Sequence, residues 1–223
     1  SLLKGNIKSN FFVSKTRKYN SPLEMYLFDD YIDKKLYLEL IEKVNKNLDI
    51  NHDYMKVRKK ILGLDSLHMY DVYAPLVDNI AKEYSYEEAK EIVINALKPL
   101  GEDYIKNLTY LFDNNCIDVF HNKNKRSGAY SWGSYDTMPY VLLNFEGEFN
   151  DVSTIAHELG HSMHSLYSNK NRPYHDHGYP IFLAEIASTV NEILLNKYCS
   201  ENAKTKEEKA YYLNNLLENF RTT

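Results

Sequence analysis

Two histidines and a glutamate lie within five consecutive residues, His157-Glu158-Leu159-Gly160-His161. On an α-helix, residues four apart share a face, so the imidazoles of His157 and His161 would point at the same place. Two imidazoles in that arrangement suit a tetrahedral Zn²⁺ ion. Glu158 projects about 100° away from His157, off the metal itself but within reach of a water beside it. The spacing predicts zinc-assisted hydrolysis with Glu158 as the general base.

The residues around this motif have the pattern of a helix. Apolar side chains recur at helical spacing, at Val152, Ile155, Ala156, Leu159, Met163 and Leu166. Asn150, Asp151 and Ser153 are available to cap the N-terminus. One helix is therefore predicted to carry both histidines.

A catalytic zinc site needs a third protein ligand, and two residues are candidates. His164 returns to nearly the same helix face, but its imidazole would lie a turn beyond His161. This placement favours a position beside the site or in the cleft wall. Glu185 lies in a segment, 180–195, that is apolar on nearly every side. A carboxylate buried there needs compensation, which a zinc ion would supply, so Glu185 is the favoured ligand.

The polar residues of segment 180–195 form one narrow stripe, which consists of Glu185, Ser188, Thr189 and Glu192. Glu192 lies two turns after Glu185 and is predicted to accept a hydrogen bond from a ligating imidazole. Ser188 lies between the two carboxylates and is predicted to support them or to face the cleft.

The remaining patterns predict a mainly α fold. Helices are predicted after Ser21, over about 33–48 and 51–62, from Ser85 to near Pro99, from Glu102 to about Asn114, and from Thr205 onward. Strands are predicted at Ile117–Phe120, Ala129–Trp132 and Tyr140–Phe145. We expect a helical region over 1–115 and a zinc-binding catalytic core over 116–223. In that core, a small antiparallel sheet lies beside the motif helix.

Composition excludes several classes of protein. The 223 residues are 43% apolar and 26% charged, which excludes an intrinsically disordered chain. The net charge of −4 gives no basic field for nucleic acid or an anionic membrane, and no apolar run is long enough to span a bilayer. The two cysteines, Cys116 and Cys199, are far apart, which favours a reducing, cytoplasmic compartment.

Two stretches resemble the thimet oligopeptidase family of zinc peptidases, and most closely its oligoendopeptidase F branch. They are His157–His164 and Phe182–Ser188; Lys125–Ser131 and Tyr135–Tyr140 are similar to that branch too. The resemblance implies a largely helical, gluzincin-like core with a deep channel over the metal, and short peptides as substrates. It also implies zinc ligands at His157, His161 and Glu185 and a catalytic Glu158.

The family has a helical portion before the stretch matched here and a His- and Tyr-containing region after it. The resemblance therefore implies an internal fragment whose partners are the missing portions of the same enzyme. Within the chain, the candidates for stabilising an oxyanion are Tyr130, His175, His177 and Tyr179. The strand that begins at Tyr140 is predicted either to pair with an extended peptide or to be an ordinary buried strand.

Two other interpretations stay open. One is a different zinc hydrolase with the same motif, such as an exopeptidase or an amidase. The other is a non-catalytic zinc-binding or peptide-binding fragment, which the expected incompleteness of the chain favours. A structural zinc ion is normally closed by four protein ligands, whereas three are evident here, and this favours catalysis.

Overall fold

The computed structural model describes residues 1–77 and 82–222, and within them the chain is mainly helical, as predicted. The helices are α1 (Leu2–Thr16), α2 (Pro22–Phe28), α3 (Lys34–Lys46), α4 (Leu48–Ile61), α5 (Tyr86–Leu97), α6 (Glu102–Asp113), α7 (Phe149–Asn171), α8 (Ile181–Glu201) and α9 (Lys206–Thr222). The strands are β1 (Ile117–Asp118), β2 (Tyr130–Trp132) and β3 (Tyr140–Leu142). Among the described residues, no helix is both long and apolar enough to cross a lipid bilayer.

Several boundaries differ from the sequence predictions. Helix α1 was not predicted at all, and each strand is shorter than its apolar pattern. Helix α7 extends beyond the predicted apolar stripe, which ends at Leu166, and continues to Asn171. Ser85 caps α5 as predicted, with its hydroxyl accepting from the Glu88 N–H at 3.2 Å and the Glu88 carboxylate accepting from the Ser85 N–H at 2.9 Å.

The small sheet is mixed rather than antiparallel, and its order is β1-β3-β2. Strand β3 pairs antiparallel with β2 but parallel with β1. The centre of β3 therefore has a neighbour on each side, because Val141 lies opposite both Ile117 and Ser131. The prediction that this strand offers a free edge to a peptide is wrong. The strongest apolar strand of the chain occupies the middle of the sheet, where both of its edges are covered.

The chain divides into two compact units, the first comprising residues 1–72 with 180–182 and the second 73–179 with 183–223. The first unit contains α1 to α4. Its buried charge is Arg58, which is 2% exposed and donates through Nη2 to the carbonyl of Val72 at 2.7 Å. The functional boundary predicted between residues 115 and 116 stays a prediction.

The second unit has one hydrophobic core. It is built from α5, α6, the sheet and α7, together with residues of α8 and α9. Its most buried members include Val93, Leu97, Leu108, Leu111, Val152, Ile155, Leu159 and Leu195. Helix α7 contributes the largest share, because the apolar stripe predicted along it faces this core. The core thus holds the motif helix from behind.

Helix α8 differs from an ordinary surface helix, because it exposes apolar side chains and buries polar ones. Four large apolar side chains at helical spacing are exposed, Leu183 by 44%, Ile186 by 51%, Val190 by 39% and Ile193 by 40%. On the buried side, Ser188 is fully covered and Asn191 is 1% exposed. This polar side faces α7.

Gly160 allows α8 to approach α7 closely. A Cβ atom built on Gly160 would lie 2.7 Å from the Ala187 carbonyl oxygen and 2.7 Å from Ser188 Cα. Real Cβ atoms do not approach backbone so closely, so any side chain at this position would push the two helices apart.

We expect Gly160→Ala to destabilise the chain although alanine favours helices. Relief of the glycine penalty contributes about 1 kcal/mol, while forcing apart packed backbones costs about 1–3 kcal/mol. Urea denaturation without metal measures the net effect. Gly5→Ala is the matched control, since nothing lies within 4 Å of a Cβ on that helical glycine. An equal gain in stability for both variants would contradict the close-packing argument.

Candidate metal centre

A loop-to-helix turn positions the start of α7. The Oδ2 atom of Asp151 accepts hydrogen bonds from the backbone N–H groups of Glu146, Gly147 and Glu148 at 2.9–3.0 Å. Asp151 was one of the three predicted capping residues. Its carboxylate collects amides that precede the first turn and fixes where the helix begins.

His157 and His161 lie one turn apart on α7, as the motif predicts, and their Nε2 atoms are 3.1 Å apart. Glu185 on α8 meets both of them. Its Oε2 atom lies 3.6 Å from His157 Nε2 and 3.8 Å from His161 Nε2. One carboxylate oxygen and two imidazole nitrogens from two helices therefore converge on a single point.

The dimensions of this triangle suit a small divalent cation. A tetrahedral zinc ion with ligands at about 2.0–2.2 Å separates its ligand atoms by about 3.3–3.5 Å. The three observed separations, 3.1, 3.6 and 3.8 Å, lie on both sides of that value. Two imidazoles and one carboxylate also form a donor set that zinc accepts, and three ligands leave a further position for a reactant.

The side chains behind the triangle hold its members in place. Glu192 Oε2 lies 3.3 Å from His157 Nδ1, and Glu192 Oε1 accepts a hydrogen bond from Ser153 at 3.2 Å. Ser188 donates to Glu185 Oε2 at 2.9 Å. Glu192 thus lies behind the His157 ring, as predicted, whereas Ser188 bonds to the same Glu185 oxygen that faces the two imidazoles.

Electrostatics separate the two histidines. The hydrogen bond to Glu192 raises the pKa of His157 above its ordinary value, with the nearby carboxylates adding to the effect. Burial lowers the pKa of His161, and the neighbouring His157 lowers it further. The pair therefore prefers to carry its proton on the ring that Glu192 faces.

Glu158 is nearly buried, with 7% of the residue exposed. Burial raises the pKa of its carboxyl, and the negative charges of Glu185 and Glu192 act in the same direction. His157 and a hydrogen bond from the backbone of Ser131 oppose the rise. A carboxylate whose pKa is shifted upward is a stronger proton acceptor, which general-base catalysis near neutral pH requires.

Hydrogen bonds join strand β2 to α7 next to Glu158. Ser131 Oγ and Ser162 Oγ lie 2.8 Å apart, and Ser162 Oγ donates to the carbonyl of Glu158 at 2.9 Å. The Val141 N–H bonds to Cys116 on the β1 side, so the backbone of Ser131, opposite Val141, points away from the sheet. The free edge at the site therefore belongs to β2.

Tyr130 and Tyr140 lie on the other face of the sheet from α7. Successive strand residues alternate in direction, and Ser131 and Val141 are the ones that face the helix. Tyr130 is 53% and Tyr140 is 54% exposed, and both line a groove of about 920 Å³ on that outer face. The structure does not bring these two predicted substrate-binding residues to the metal ligands.

His164 lies behind the site rather than among the ligands. Its ring stacks on Tyr179 with centroids 3.8 Å apart, and Tyr179 OH lies 2.6 Å from Ser165 Oγ. Burial lowers the pKa of His164, and its Nδ1 atom has no hydrogen-bond partner among the described residues. His177 contacts the backbone of Tyr174, 2.5 Å from Nδ1 to the carbonyl oxygen, and His175 is exposed in the same turn.

A cavity of about 440 Å³ adjoins the triangle on the side of His157. Glu192 and His157 form its polar end, and Leu216 and Phe220 of α9 contribute apolar wall. Helix α9 also contributes Asn219 to this cavity, and its sequence pattern alone did not predict a place beside the site.

We expect Glu192→Gln to move metal binding to lower pH. A protonated His157 cannot ligate, so affinity falls as pH drops through its pKa, which Glu192 raises. Without that carboxylate the pKa falls, and the midpoint of the pH profile moves down. The neutral amide oxygen of glutamine accepts from the ring more weakly than the carboxylate does, so the affinity at alkaline pH should also fall, by up to about 10-fold. Metal titrations from pH 5 to 9, with Ser153→Ala as the charge-preserving control, measure both effects; an unshifted midpoint would contradict them.

Known proteins match nearly the whole length of this chain. The family model described as peptidase family M3 matches residues 1–223. Oligopeptidase PepF of Bacillus subtilis is 43% identical over 99% of this chain and 33% of its own length. A solved structure from Chlamydophila abortus superposes with a TM-score of 0.88 at 45% identity, covering 98% of this chain and 37% of that one. The crystal structure of oligoendopeptidase-F from Enterococcus faecium gives 0.63 at 32% identity, with 97% and 31% covered.

These similarities support the resemblance to oligoendopeptidase F seen in the sequence. They also show how much of each relative this chain corresponds to. This chain spans about a third of the length of the curated relatives that it matches. It includes every residue of the triangle described above.

Proposed function

The chain belongs to peptidase family M3, and from this premise we propose that it holds a zinc ion on His157, His161 and Glu185 and hydrolyses bonds within short peptides. The convergence of three ligand atoms from α7 and α8 is the observation that carries the proposal. The metal dependence of the family supports it.

The chemistry divides between the ion and the protein. When bound, a zinc ion supplies a Lewis acid that lowers the pKa of water and polarises a peptide carbonyl. The Glu158 carboxylate accepts a proton from the attacking water and delivers it to the departing amine. Its burial keeps bulk water away and raises its proton affinity. Glu192 orients the His157 ring, and Ser188 orients the Glu185 carboxylate.

A peptide substrate would lie along β2. The outward-facing backbone carbonyl of Ser131 is available at the free sheet edge, whereas the Ser131 N–H already donates to the Glu158 carboxylate. An extended peptide that pairs with this edge would lie across the ligands in a defined register. The cavity beside His157 would take one apolar side chain of that peptide. Tyr130, Tyr140, His177 and Tyr179 stay candidates for binding the substrate at a distance from the three ligands.

Zinc content and cleavage specificity together test the proposal. We expect one equivalent of zinc per purified chain, and hydrolysis by the natural full-length protein of fluorogenic peptides blocked at both ends. Cleavage only of peptides with a free terminus would indicate an exopeptidase. Zinc without any hydrolysis would favour the non-catalytic interpretation, and absence of zinc from the folded chain would refute the metal site.

A further inference from the structure

The side chain of Asn191 links α8 to the backbone of α7 next to the metal centre. Its Nδ2 atom donates to the carbonyl of Ala156 at 2.9 Å, and Asn191 is only 1% exposed. Ala156 directly precedes His157, and Asn191 directly precedes Glu192. The link therefore lies beside the 3.3 Å contact between His157 and Glu192.

Tyr104 on α6 sets the orientation of this amide. Its hydroxyl donates to Asn191 Oδ1 at 3.0 Å, so the NH₂ group is directed at Ala156. Burial raises the pKa of Tyr104 to about 12, and the hydroxyl keeps its proton at neutral pH. Three helices of the second unit thus meet at one buried side chain.

The axial position of α8 decides which carboxylate becomes a ligand. Glu185 and Glu192 lie on one stripe, two turns apart, and an α-helix advances about 5.4 Å per turn. In the observed register, Glu185 faces the two Nε2 atoms and Glu192 faces Nδ1. A displacement of α8 along its axis would withdraw Glu185 from both imidazoles at once.

The His161 ring also bonds to the backbone of Ala184 on α8, but two other contacts between α7 and α8 constrain the register less. Gly160 sets how closely the helices approach, because it meets the α8 backbone. The bond between Ser153 and Glu192 joins two side chains and is 3.2 Å long. The Asn191 amide instead joins a short side chain directly to backbone, so it tolerates little axial movement.

We infer that Asn191, oriented by Tyr104, is a positioning residue that sets the register of α8 and so selects Glu185 as the third ligand. The inference rests on the proposed metal site. Neither Asn191 nor Tyr104 would touch the ion. Together they would set the spacing of the three ligand atoms.

Cobalt(II) titration of the 223-residue chain tests this, since cobalt reports coordination through its visible ligand-field bands. We expect Asn191→Ala to lower cobalt affinity about 10- to 100-fold, the usual effect of losing a group that orients ligands. The bands should also weaken, because the site loses its four-coordinate geometry. Tyr104→Phe removes one oxygen atom and should give a smaller change in the same direction. It carries the same test if Asn191→Ala does not fold.

Asn196→Ala is the matched control. Asn196 is on the same helix and is also 1% exposed, but its amide bonds to the Glu192 carbonyl and to Asn215 rather than to α7. Its variant should bind cobalt like the parent. An unchanged Asn191→Ala, or equal losses in both asparagine variants, would overturn the inference and leave the proposed function standing. A folded parent that binds no cobalt would overturn both.

Discussion

Glu158→Gln is expected to abolish peptide hydrolysis by the natural full-length protein while the metal stays bound. Glutamine keeps the shape of the side chain and can still accept the hydrogen bond from the Ser131 backbone. It cannot take a proton from water, and loss of general-base catalysis lowers kcat by about 10²- to 10⁴-fold. Steady-state kinetics with a blocked peptide and zinc analysis of the same sample measure the two results.

Loss of hydrolysis with zinc retained would distinguish a general base from a metal ligand. Glu201→Gln is the control, since this exposed glutamate at the end of α8 pairs with Lys197 at 4.0 Å, and it should retain full activity. Residual cleavage near the parent rate in Glu158→Gln would remove Glu158 from the mechanism. Loss of zinc in that variant would instead make it a ligand or a support for one.

Glu185→Ala is expected to have the largest effect on metal binding. A bound zinc ion in a protein site is worth about 10–16 kcal/mol, so removing one of three ligands should cost about 3 kcal/mol or more. That corresponds to a loss of affinity on the order of 10²-fold. Competition with a chromophoric chelator measures it.

Two further observations distinguish ligation from a structural role for Glu185. Its side chain is 46% exposed, so the thermal midpoint of the metal-free chain should hardly change in Glu185→Ala. Ser188→Ala removes only the hydroxyl that bonds Glu185 and should reduce affinity less. Equal zinc affinity in parent and Glu185→Ala would refute the assignment of the third ligand.

The geometry around the metal was largely predictable because helical periodicity is local. Residues four apart share a face whatever the rest of the chain does, so His157 and His161 could be paired from spacing alone. Glu185 and Glu192 stood out because carboxylates on a segment that is otherwise apolar need partners. Both carboxylates do contact His157, but the premise of burial does not hold for Glu185, whose side chain is 46% exposed.

The misjudged features depend on contacts between distant parts of the chain. Strand patterns specify which residues alternate, but not which strands pair or in which direction, so the parallel pairing of β1 with β3 was missed. For the same reason the sequence did not indicate that Tyr130 and Tyr140 lie on the face of the sheet opposite α7, and their role in substrate binding stays a prediction. Helix α1 was missed because Gly5, Phe11 and Val13 weaken its helical pattern.

Asn191 and Gly160 show a second kind of limit. A lone asparagine or glycine in a helical segment has no signature of its own. The role of Gly160 becomes visible only when the α8 backbone is placed against it. Asn191 likewise needs both Ala156 and Tyr104, which lie 35 and 87 positions away in the chain.

The reversed polarity of α8 has a consequence for how this helix is retained in the fold. Its N-terminal half contributes little beyond Ala184 to the buried apolar surface, whereas Ser188 and Asn191 are covered by α7. Burial of apolar surface, which depends little on pH, therefore stabilises the packing of α5, α6 and α7. It contributes little to the packing of this half of α8. The attachment of this half depends on hydrogen bonds to α7, so we expect its local opening to respond to pH, and to binding at the proposed metal site, more than opening elsewhere in the unit.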